Sequence, residues 1–184
     1  MKMVMIRHGE PDRQACIERK FIGQGYELAP LTVKGVQQAK QAAHNPLMKQ
    51  AQLIVCSPYT RALQTAAEIS KVTGLEICVE MDLRELEKDI EHRCETIEQM
   101  NLLHKEFLQC KGAHPQGKQC CWESVEQLTQ RIVPVLEKYL EYQKIIVVTH
   151  GGVIRRFVDK EKIEYAQPYL VEVDAPIQCY GWCE

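Results

Sequence analysis

Positively charged and imidazole side chains follow short apolar runs near opposite ends of the chain. Arg7 and His8 come directly after an apolar run at the N-terminus, and His150 follows a second such run. A third run, Leu53–Cys56, leads into a segment that places Arg61 in the opening turn of a predicted helix. The carboxyl ends of parallel strands meet at one edge of an open α/β sheet, and ligands bind at such edges. The pattern therefore predicts an oxyanion pocket built from two arginines and two histidines.

These residue types suit the transfer of a phosphoryl group. The planar guanidinium of arginine keeps its charge and donates two parallel hydrogen bonds to an anion, so Arg7 and Arg61 are candidate clamps for phosphate oxygens. A neutral imidazole nitrogen is a nucleophile near neutral pH when a hydrogen-bond acceptor holds the other ring nitrogen. Gly9 and Gly151 follow the two histidines and allow the backbone to approach an anion closely. The chemistry predicted is nucleophilic attack by histidine on phosphorus.

A carboxylic acid is the remaining requirement, because an ester oxygen leaves phosphorus poorly unless it receives a proton. The segment after the third predicted strand contains Asp82, Glu85 and Glu87. Glu85 is our candidate acid. Spacing alone does not separate it from Asp82, Glu87 or Glu10.

Length and charge favour one domain that recognises a small partner. The chain has 184 residues, with 23 basic and 25 acidic residues and a formal net charge of −2. A chain this close to neutrality has no overall field to attract nucleic acid or a membrane surface. No stretch approaches the ~18 apolar residues of a membrane helix, and the first residues are typical of a strand and not of the long apolar region of a leader. We therefore expect a single cytoplasmic domain over residues 1–184, with a small phosphorylated substrate as its partner. No signal in the sequence predicts the oligomeric state.

The nine cysteines have two interpretations. An odd count without a leader favours reduced thiols over a disulfide framework. Cys110, His114, Cys120 and Cys121 offer ligand types for zinc, but they lack a C-x2-C pair, and two adjacent cysteines do not easily serve one tetrahedron. Zinc is therefore the weaker hypothesis.

Apolar periodicity predicts alternating strands and helices along the chain. Thr32 is the predicted N-cap of a helix that Asn45-Pro46 ends. The later elements are a strand at 53–56, a helix from about 59 to 72, a strand at 75–79, a helix from about 123 to 142 bent at Pro134, a strand before His150, a short helix at 153–158, and strands at 169–173 and 177–180. The predicted fold is an α/β three-layer sandwich with a central, mostly parallel sheet flanked by helices.

Two segments interrupt this alternation. A polar loop from Glu10 to about Pro30 contains Gly23 and Gly25 and is expected to shape the site. The segment at about 82–121 is polar and mainly helical in pattern, and a Gly- and Pro-containing stretch breaks it near its end. We interpret this second segment as a cap that determines specificity.

Four motifs together resemble the histidine phosphatase superfamily, whose members are also called phosphoglycerate mutase-like. They are Arg7-His8-Gly9-Glu10, Ser57-Pro58-Tyr59-Thr60-Arg61-Ala62-Leu63-Gln64-Thr65-Ala66, Leu83-Arg84-Glu85 and His150-Gly151-Gly152. A three-residue match is weak, but these motifs occur in order along nearly the whole chain. Glu123-Ser124, ahead of the second histidine, belongs to the same resemblance.

The resemblance implies a role for each matching residue. His8 is the histidine that becomes phosphorylated, and Arg7, Arg61 and His150 complete the phosphate pocket. Glu85 is the acid, and the reaction needs no metal or organic cofactor. Ser57 and Thr65 are interpreted as structural. The family fold also places one antiparallel strand near the end of the chain.

The chain departs from the family pattern after the first motif and after the acid. Many members carry Trp-Asn where this chain has Pro11-Asp12-Arg13-Gln14, so a phosphate contact from asparagine is either missing or replaced by Gln14 or Gln24. With Gly151, Gln24 completes the predicted phosphate-binding set. The Gly-Trp-Glu that often follows the acid is replaced by Lys88–Arg93.

The leading hypothesis for function is a metal-independent phosphomonoesterase that works through a phosphohistidine on His8. A phosphoglycerate mutase would share the first step but return the phosphoryl group to a bound acid, and this chain is short for the segments that such enzymes add around the site. A phospho-ligand binding module that has lost catalysis is the alternative from another class of protein.

Overall fold

The computed structural model describes residues 1–180 and 182. Five strands form one sheet in the order β3-β2-β4-β1-β5. They are β1 (Lys2–Arg7), β2 (Ile54–Cys56), β3 (Ile77–Val79), β4 (Lys144–Thr149) and β5 (Pro168–Glu172). Strands β1 to β4 are parallel to their neighbours, and β5 pairs antiparallel with β1. The predicted mostly parallel sheet, with its antiparallel strand near the end, is confirmed.

Helices lie between and beside the strands. They are α1 (Gln14–Glu18), α2 (Val33–Ala43), α3 (Thr60–Thr73), α4 (Ile97–Gln109), α5 (Val125–Glu137) and α6 (Gly151–Ile154), with 3-10 helices at Gly23–Leu28, Pro46–Met48 and Met81–Leu83. Thr32 caps α2 as expected, because its side chain accepts a hydrogen bond from the Gly35 N–H.

Both faces of the sheet are buried, which makes it the middle layer. Successive side chains of a strand point to opposite faces. In β1, Met3 and Met5 join the apolar cluster that includes α5, whereas Val4 and Ile6 join the cluster that includes α3. Burial on both sides explains why the strands read as continuous apolar runs.

The predicted elements differ from the structure in several places. The helix expected at 123–142 is α5 and ends at Glu137, and the helix expected at 153–158 is α6, which starts earlier and ends at Ile154. The polar loop after β1 contains α1 and a 3-10 helix. Within the segment 82–121, only α4 and the end of the preceding 3-10 helix are helical.

The strand predicted at 177–180 is wrong. The Ile177 N–H donates to the Glu137 side chain at 3.4 Å, and the Tyr180 N–H donates to the Arg156 carbonyl at 2.8 Å. Ile177 is buried against the α5 face of the sheet. Its apolar character reflects this packing and not strand pairing.

No helix in the described ranges 1–180 and 182 is long and apolar enough to cross a bilayer.

Gly35 lies where two backbone segments approach each other closely. A Cβ added there would overlap the Glu10 carbonyl oxygen, and one added at Gly9 would overlap the Gly35 carbonyl oxygen. The atom that the new Cβ would meet belongs to the backbone, which cannot rotate away as a flexible side chain can. We therefore expect Gly35→Ala to lower the free energy of unfolding by about 1–3 kcal/mol. Urea denaturation measures this. Gly25→Ala is the control, because its added Cβ would lie 3.4 Å from the nearest atom, in the Phe21 side chain; equal destabilisation of both variants would contradict the prediction.

Candidate active site

The two histidines lie at the same edge of the sheet because β1 and β4 are adjacent and parallel. Arg7 pairs in register with Thr149, and the His8 N–H donates to the Thr149 carbonyl at 3.0 Å. The imidazole rings of His8 and His150 meet edge to face, with centroids 5.2 Å apart. Ser57 follows β2, the other neighbour of β4, at the same edge. The structure thus brings together the strand-end residues that the sequence analysis selected.

His8 is held in one orientation and one tautomer. Its Nδ1 lies 2.7 Å from the Gly9 carbonyl oxygen, and its Nε2 accepts a hydrogen bond from Arg61 Nε at 3.0 Å. A carbonyl can only accept and the guanidinium can only donate, so the proton is on Nδ1 and the lone pair is on Nε2. The ring is 3% exposed. The nitrogen that a nucleophile needs is therefore unprotonated and faces the pocket.

The hydrogen bonds of His150 also fix the tautomer of its ring. Its Nδ1 lies 3.3 Å from Arg61 Nη2, and its Nε2 lies 2.7 Å from Ser57 Oγ. Because Arg61 donates to Nδ1, the proton is on Nε2 and points to Ser57. The sequence analysis interpreted Ser57 as a structural residue at a helix start, and its contact with His150 was missed. Its position directly after β2 was the available signal.

Arg61 connects both histidines and is almost completely buried in the first turn of α3. Thr65, one helical turn later, donates to the Arg61 carbonyl at 2.8 Å and accepts from the Gly9 N–H at 3.0 Å. This threonine ties α3 to the loop that carries His8. The guanidinium also pairs with the Glu27 carboxylate at 2.5 Å, a contact that no sequence motif indicated.

Arg7 stands beside the first turn of α6. Its Nη1 donates to the Ile163 carbonyl at 2.7 Å, and its guanidinium lies 4.0 Å from the centroid of the Tyr165 ring. Its Nε is buried without a hydrogen-bond partner in the described part of the chain. A Cβ at Gly151 would lie 3.7 Å from that Nε. Arg7 therefore has a donor left to offer to an anion.

Glu85 reaches the pocket from the segment after β3. Its Oε1 accepts from the Gly152 N–H at 3.0 Å and from the Leu86 N–H at 2.9 Å. A Cβ at Gly152 would lie 2.5 Å from that oxygen, so this position has little room for a side chain. Arg131 Nη2 donates to the Glu85 carbonyl at 3.0 Å.

Arg131 itself forms a buried pair with Glu123, with Nη2 and Oε2 2.8 Å apart. Glu123 Oε2 also accepts from the Glu87 N–H at 3.0 Å. This pair anchors the segment that carries Glu85, and its role was not predicted.

The other acidic candidates are engaged elsewhere. Glu10 pairs with Lys34 at 2.8 Å. Asp82 and Glu87 both pair with Arg84, each at 2.7 Å. Glu85 is therefore the candidate whose geometry fits best.

The two candidate glutamines, Gln14 and Gln24, occupy different positions relative to the cavity. Gln14 is exposed, donates to Glu18 at 2.9 Å and does not line the cavity, so the structure does not bring it to the site. Gln24 lines the cavity and donates to Glu87 at 3.4 Å.

The candidate zinc ligands are used in other contacts. The His114 Nε2 lies 2.8 Å from the Trp122 carbonyl oxygen, and Cys121 donates to Glu91 at 3.2 Å. Cys120 is buried against Phe107 and Trp122. Within residues 1–180 and 182, no group of three ligand-type side chains is arranged to hold a metal.

Burial and positive neighbours keep both histidines neutral. Burial lowers the pKa of His8 well below 6.5, Arg61 lowers it further, and the Gly9 carbonyl opposes these effects. Burial, then Arg61, lowers the pKa of His150 in the same way. With both imidazoles neutral, the guanidiniums of Arg7 and Arg61 are the positive groups beside them, and Glu27 offsets part of the charge of Arg61.

The lowered pKa values predict how stability depends on pH. In the unfolded chain these histidines take up protons near pH 6.5, before the folded protein does, so stability is lost as pH falls below about 6.5. Each histidine contributes a slope of up to about 1.4 kcal/mol per pH unit. We expect His8→Asn to reduce the slope measured by urea denaturation between pH 7.5 and 5.5. An unchanged slope in His8→Asn, equal to that of a variant of the exposed His44, would contradict this account.

Comparisons with known proteins place the chain in a family. The model of the histidine phosphatase superfamily (branch 1) matches residues 3–168. A putative phosphoserine phosphatase 2 of Hydrogenobacter thermophilus is 30% identical over 162 residues, which cover 85% of this chain and 76% of that protein. A probable phosphoglycerate mutase of Citrobacter koseri is 29% identical over 159 residues, with 82% and 70% covered.

Solved structures of other proteins have the same fold. A mycobacterial glucosyl-3-phosphoglycerate phosphatase in complex with inorganic phosphate has a TM-score of 0.63 and 25% identity, with 84% of this chain and 75% of that chain covered. A protein of Thermus thermophilus has the same fold at a TM-score of 0.62, with 23% identity over 98% of this chain and 97% of that one. Because the family model matches most of its length, this chain belongs to the histidine phosphatase superfamily.

Proposed function

We propose that the protein is a metal-independent phosphomonoesterase that works through a phosphohistidine on His8. The observation that carries the proposal is the neutral, buried His8 whose Nε2 lone pair faces Arg61. The Gly9 carbonyl holds the second nitrogen of the ring, so Nε2 can attack phosphorus once Arg61 transfers its hydrogen bond from His8 to a phosphate oxygen. The two guanidiniums supply the positive charge that phosphoryl transfer requires.

The first step transfers the phosphoryl group to the enzyme. His8 Nε2 attacks phosphorus, the bond from phosphorus to the ester oxygen breaks, and protonated Glu85 gives its proton to the leaving alcohol. Arg7 and Arg61 hold the non-bridging oxygens. We propose that His150 joins them when its Nδ1 gains a proton as the phosphate binds. Arginine is suited to this because its fork donates two bonds at once.

The second step returns the enzyme to its starting state. Glu85, now a carboxylate, takes a proton from water while the water oxygen attacks phosphorus. The bond between phosphorus and His8 Nε2 breaks, and inorganic phosphate leaves. The Gly151 backbone and Gln24, both on the cavity wall, are proposed as further phosphate contacts.

The names of related proteins support hydrolysis and leave one rival. One relative is named a phosphoserine phosphatase, and others are named probable phosphoglycerate mutases. A mutase would protect the phosphohistidine from water and return the phosphoryl group to an acid.

The test is hydrolysis of p-nitrophenyl phosphate in excess EDTA, beside an assay for interconversion of 2- and 3-phosphoglycerate. Hydrolysis that survives EDTA supports the proposal. Interconversion that exceeds hydrolysis overturns it in favour of a mutase. Tight phosphate binding without turnover of any ester tested would overturn it in favour of a binding module.

We also propose that the chain acts as one domain in the cytoplasm, with residues 82–121 as its specificity cap. The eight described cysteines are free thiols, and a reducing compartment would keep them so. The cap contributes part of the wall of the cavity that opens from the phosphate pocket. Small phosphorylated compounds are therefore the expected substrates.

A further inference from the structure

The side chain of Glu27 faces the same cavity as the proposed catalytic residues. Glu27 lies in the 3-10 helix Gly23–Leu28, within the loop after β1, and lines the cavity of about 450 Å³. Its Oε2 lies 2.5 Å from Nη1 of Arg61, the arginine that contacts both histidines of the pocket. A negative group of the chain therefore stands beside a guanidinium that the proposed mechanism assigns to the phosphate.

Arg61 needs a counter-charge when the pocket holds no ligand. Its side chain is 1% exposed, and a charge so far removed from water is costly without an opposite partner. The imidazoles of His8 and His150 do not supply that partner, because burial lowers the pKa of both rings and leaves them neutral. The Glu27 carboxylate does supply it. The chain thus places its own anion on Arg61.

The contact between Glu27 and Arg61 lacks the alignment of a permanent structural pair. Glu27 Oε2 accepts no hydrogen bond of good geometry from the part of the chain that the structure describes. Arg131 and Glu123, by contrast, form two hydrogen bonds, from Nε to Oε1 at 2.5 Å and from Nη2 to Oε2 at 2.8 Å. Two parallel bonds are the strong form of this pairing. The Glu27 carboxylate is therefore the more easily displaced of the two.

A phosphate group is a better partner for Arg61 than this carboxylate. Its non-bridging oxygens can accept two bonds from one guanidinium. If Glu27 stayed in place, its carboxylate and the phosphate would share that guanidinium, and like charges at so short a distance repel. The Glu27 side chain is 19% exposed on the cavity wall, so it has solvent to move into. Displacement of Glu27 is the arrangement that satisfies all these groups.

We propose that Glu27 competes with the substrate phosphate for Arg61 and so sets the affinity of the pocket for phosphate. The inference rests on the proposed function, since it concerns the same phosphate pocket. The carboxylate leaves Arg61 when phosphate binds and returns when inorganic phosphate departs, which limits inhibition by the product. A Glu27 that only supported Arg61 would have the opposite effect, because its removal would weaken phosphate binding.

The test measures binding of inorganic phosphate by calorimetry. We expect Glu27→Gln and Glu27→Ala to bind phosphate roughly 10-fold more tightly than the native protein, because the competing charge is gone. The kcat/KM for p-nitrophenyl phosphate should rise by a similar factor. The alanine variant covers the case in which the glutamine amide itself keeps the contact with Arg61.

Glu87→Gln is the matched control. Glu87 also lines the cavity and its side chain is 17% exposed, but it pairs with Arg84, which does not line the cavity. Removing its charge should change phosphate affinity by less than about threefold, because solvent and salt screen charges that make no direct contact.

Two outcomes would overturn the proposal. If neither Glu27 variant bound phosphate more tightly, Glu27 would be a support of Arg61 and not its competitor. If Glu87→Gln tightened binding as much as the Glu27 variants, a general change of charge in the cavity would explain the gain. Calorimetry needs no turnover, so tighter phosphate binding by the Glu27 variants alone would support the inference even if no ester were hydrolysed.

Discussion

Replacing His8 with alanine should lower kcat/KM for p-nitrophenyl phosphate by roughly 10⁴-fold or more. His8 is the buried ring whose unprotonated Nε2 faces the pocket, and its removal leaves no group to accept the phosphoryl transfer. His150 is not placed to substitute, because its ring is fully buried and, unlike His8, does not line the cavity. Initial rates in excess EDTA measure the loss.

Two controls make the His8 result specific. His44→Ala removes an exposed imidazole at the end of α2 and should leave the rate unchanged. Inorganic phosphate should still bind to His8→Ala, because Arg7 and Arg61 remain. A His8→Ala enzyme with more than a tenth of the native rate would refute His8 as the nucleophile.

Glu85→Gln should produce a loss that grows with the basicity of the leaving group. An alkoxide needs a proton as it leaves, so we expect kcat/KM for glycerol 3-phosphate to fall by roughly 10²- to 10⁴-fold. p-Nitrophenolate leaves without that proton, so its ester should lose far less in the first step. Glutamine keeps the shape and the oxygen that accepts from the Gly152 N–H.

The matched controls for Glu85 are the other acids of the same segment. Asp82→Asn and Glu87→Gln disturb the pairing with Arg84 but should leave the dependence on the leaving group unchanged. If Glu87→Gln showed that dependence and Glu85→Gln did not, the acid would be Glu87. Equal losses on both esters in Glu85→Gln would exclude proton donation to the leaving group.

The sequence allowed the core of the site to be predicted because that core follows from sheet topology. Apolar runs that end in Arg7-His8 and in His150 could be recognised as strands, and parallel strands carry their following residues to one edge. Arg61 was predicted in the same way, as the first turn of a helix after β2. Local patterns sufficed for these residues.

Contacts between distant loops could not be predicted. The pairing of Glu27 with Arg61 depends on how the loop after β1 folds back over α3, and no periodicity describes that loop. The pair Arg131–Glu123, which holds the segment of Glu85, joins residues whose spacing also fits a solvated helix surface. The apolar residues near Ile177 resembled a strand because packing against a core needs the same side chains as pairing in a sheet.

Detection of the phosphorylated enzyme tests the central claim most directly. A phosphate ester with a radiolabelled phosphoryl group is mixed with the protein, and the reaction is quenched in base within the first turnover. We predict label on the native protein that is stable in base, is lost in acid and is absent from His8→Ala. Hydrolysis in the first turnover without any such label on the native protein would contradict the account.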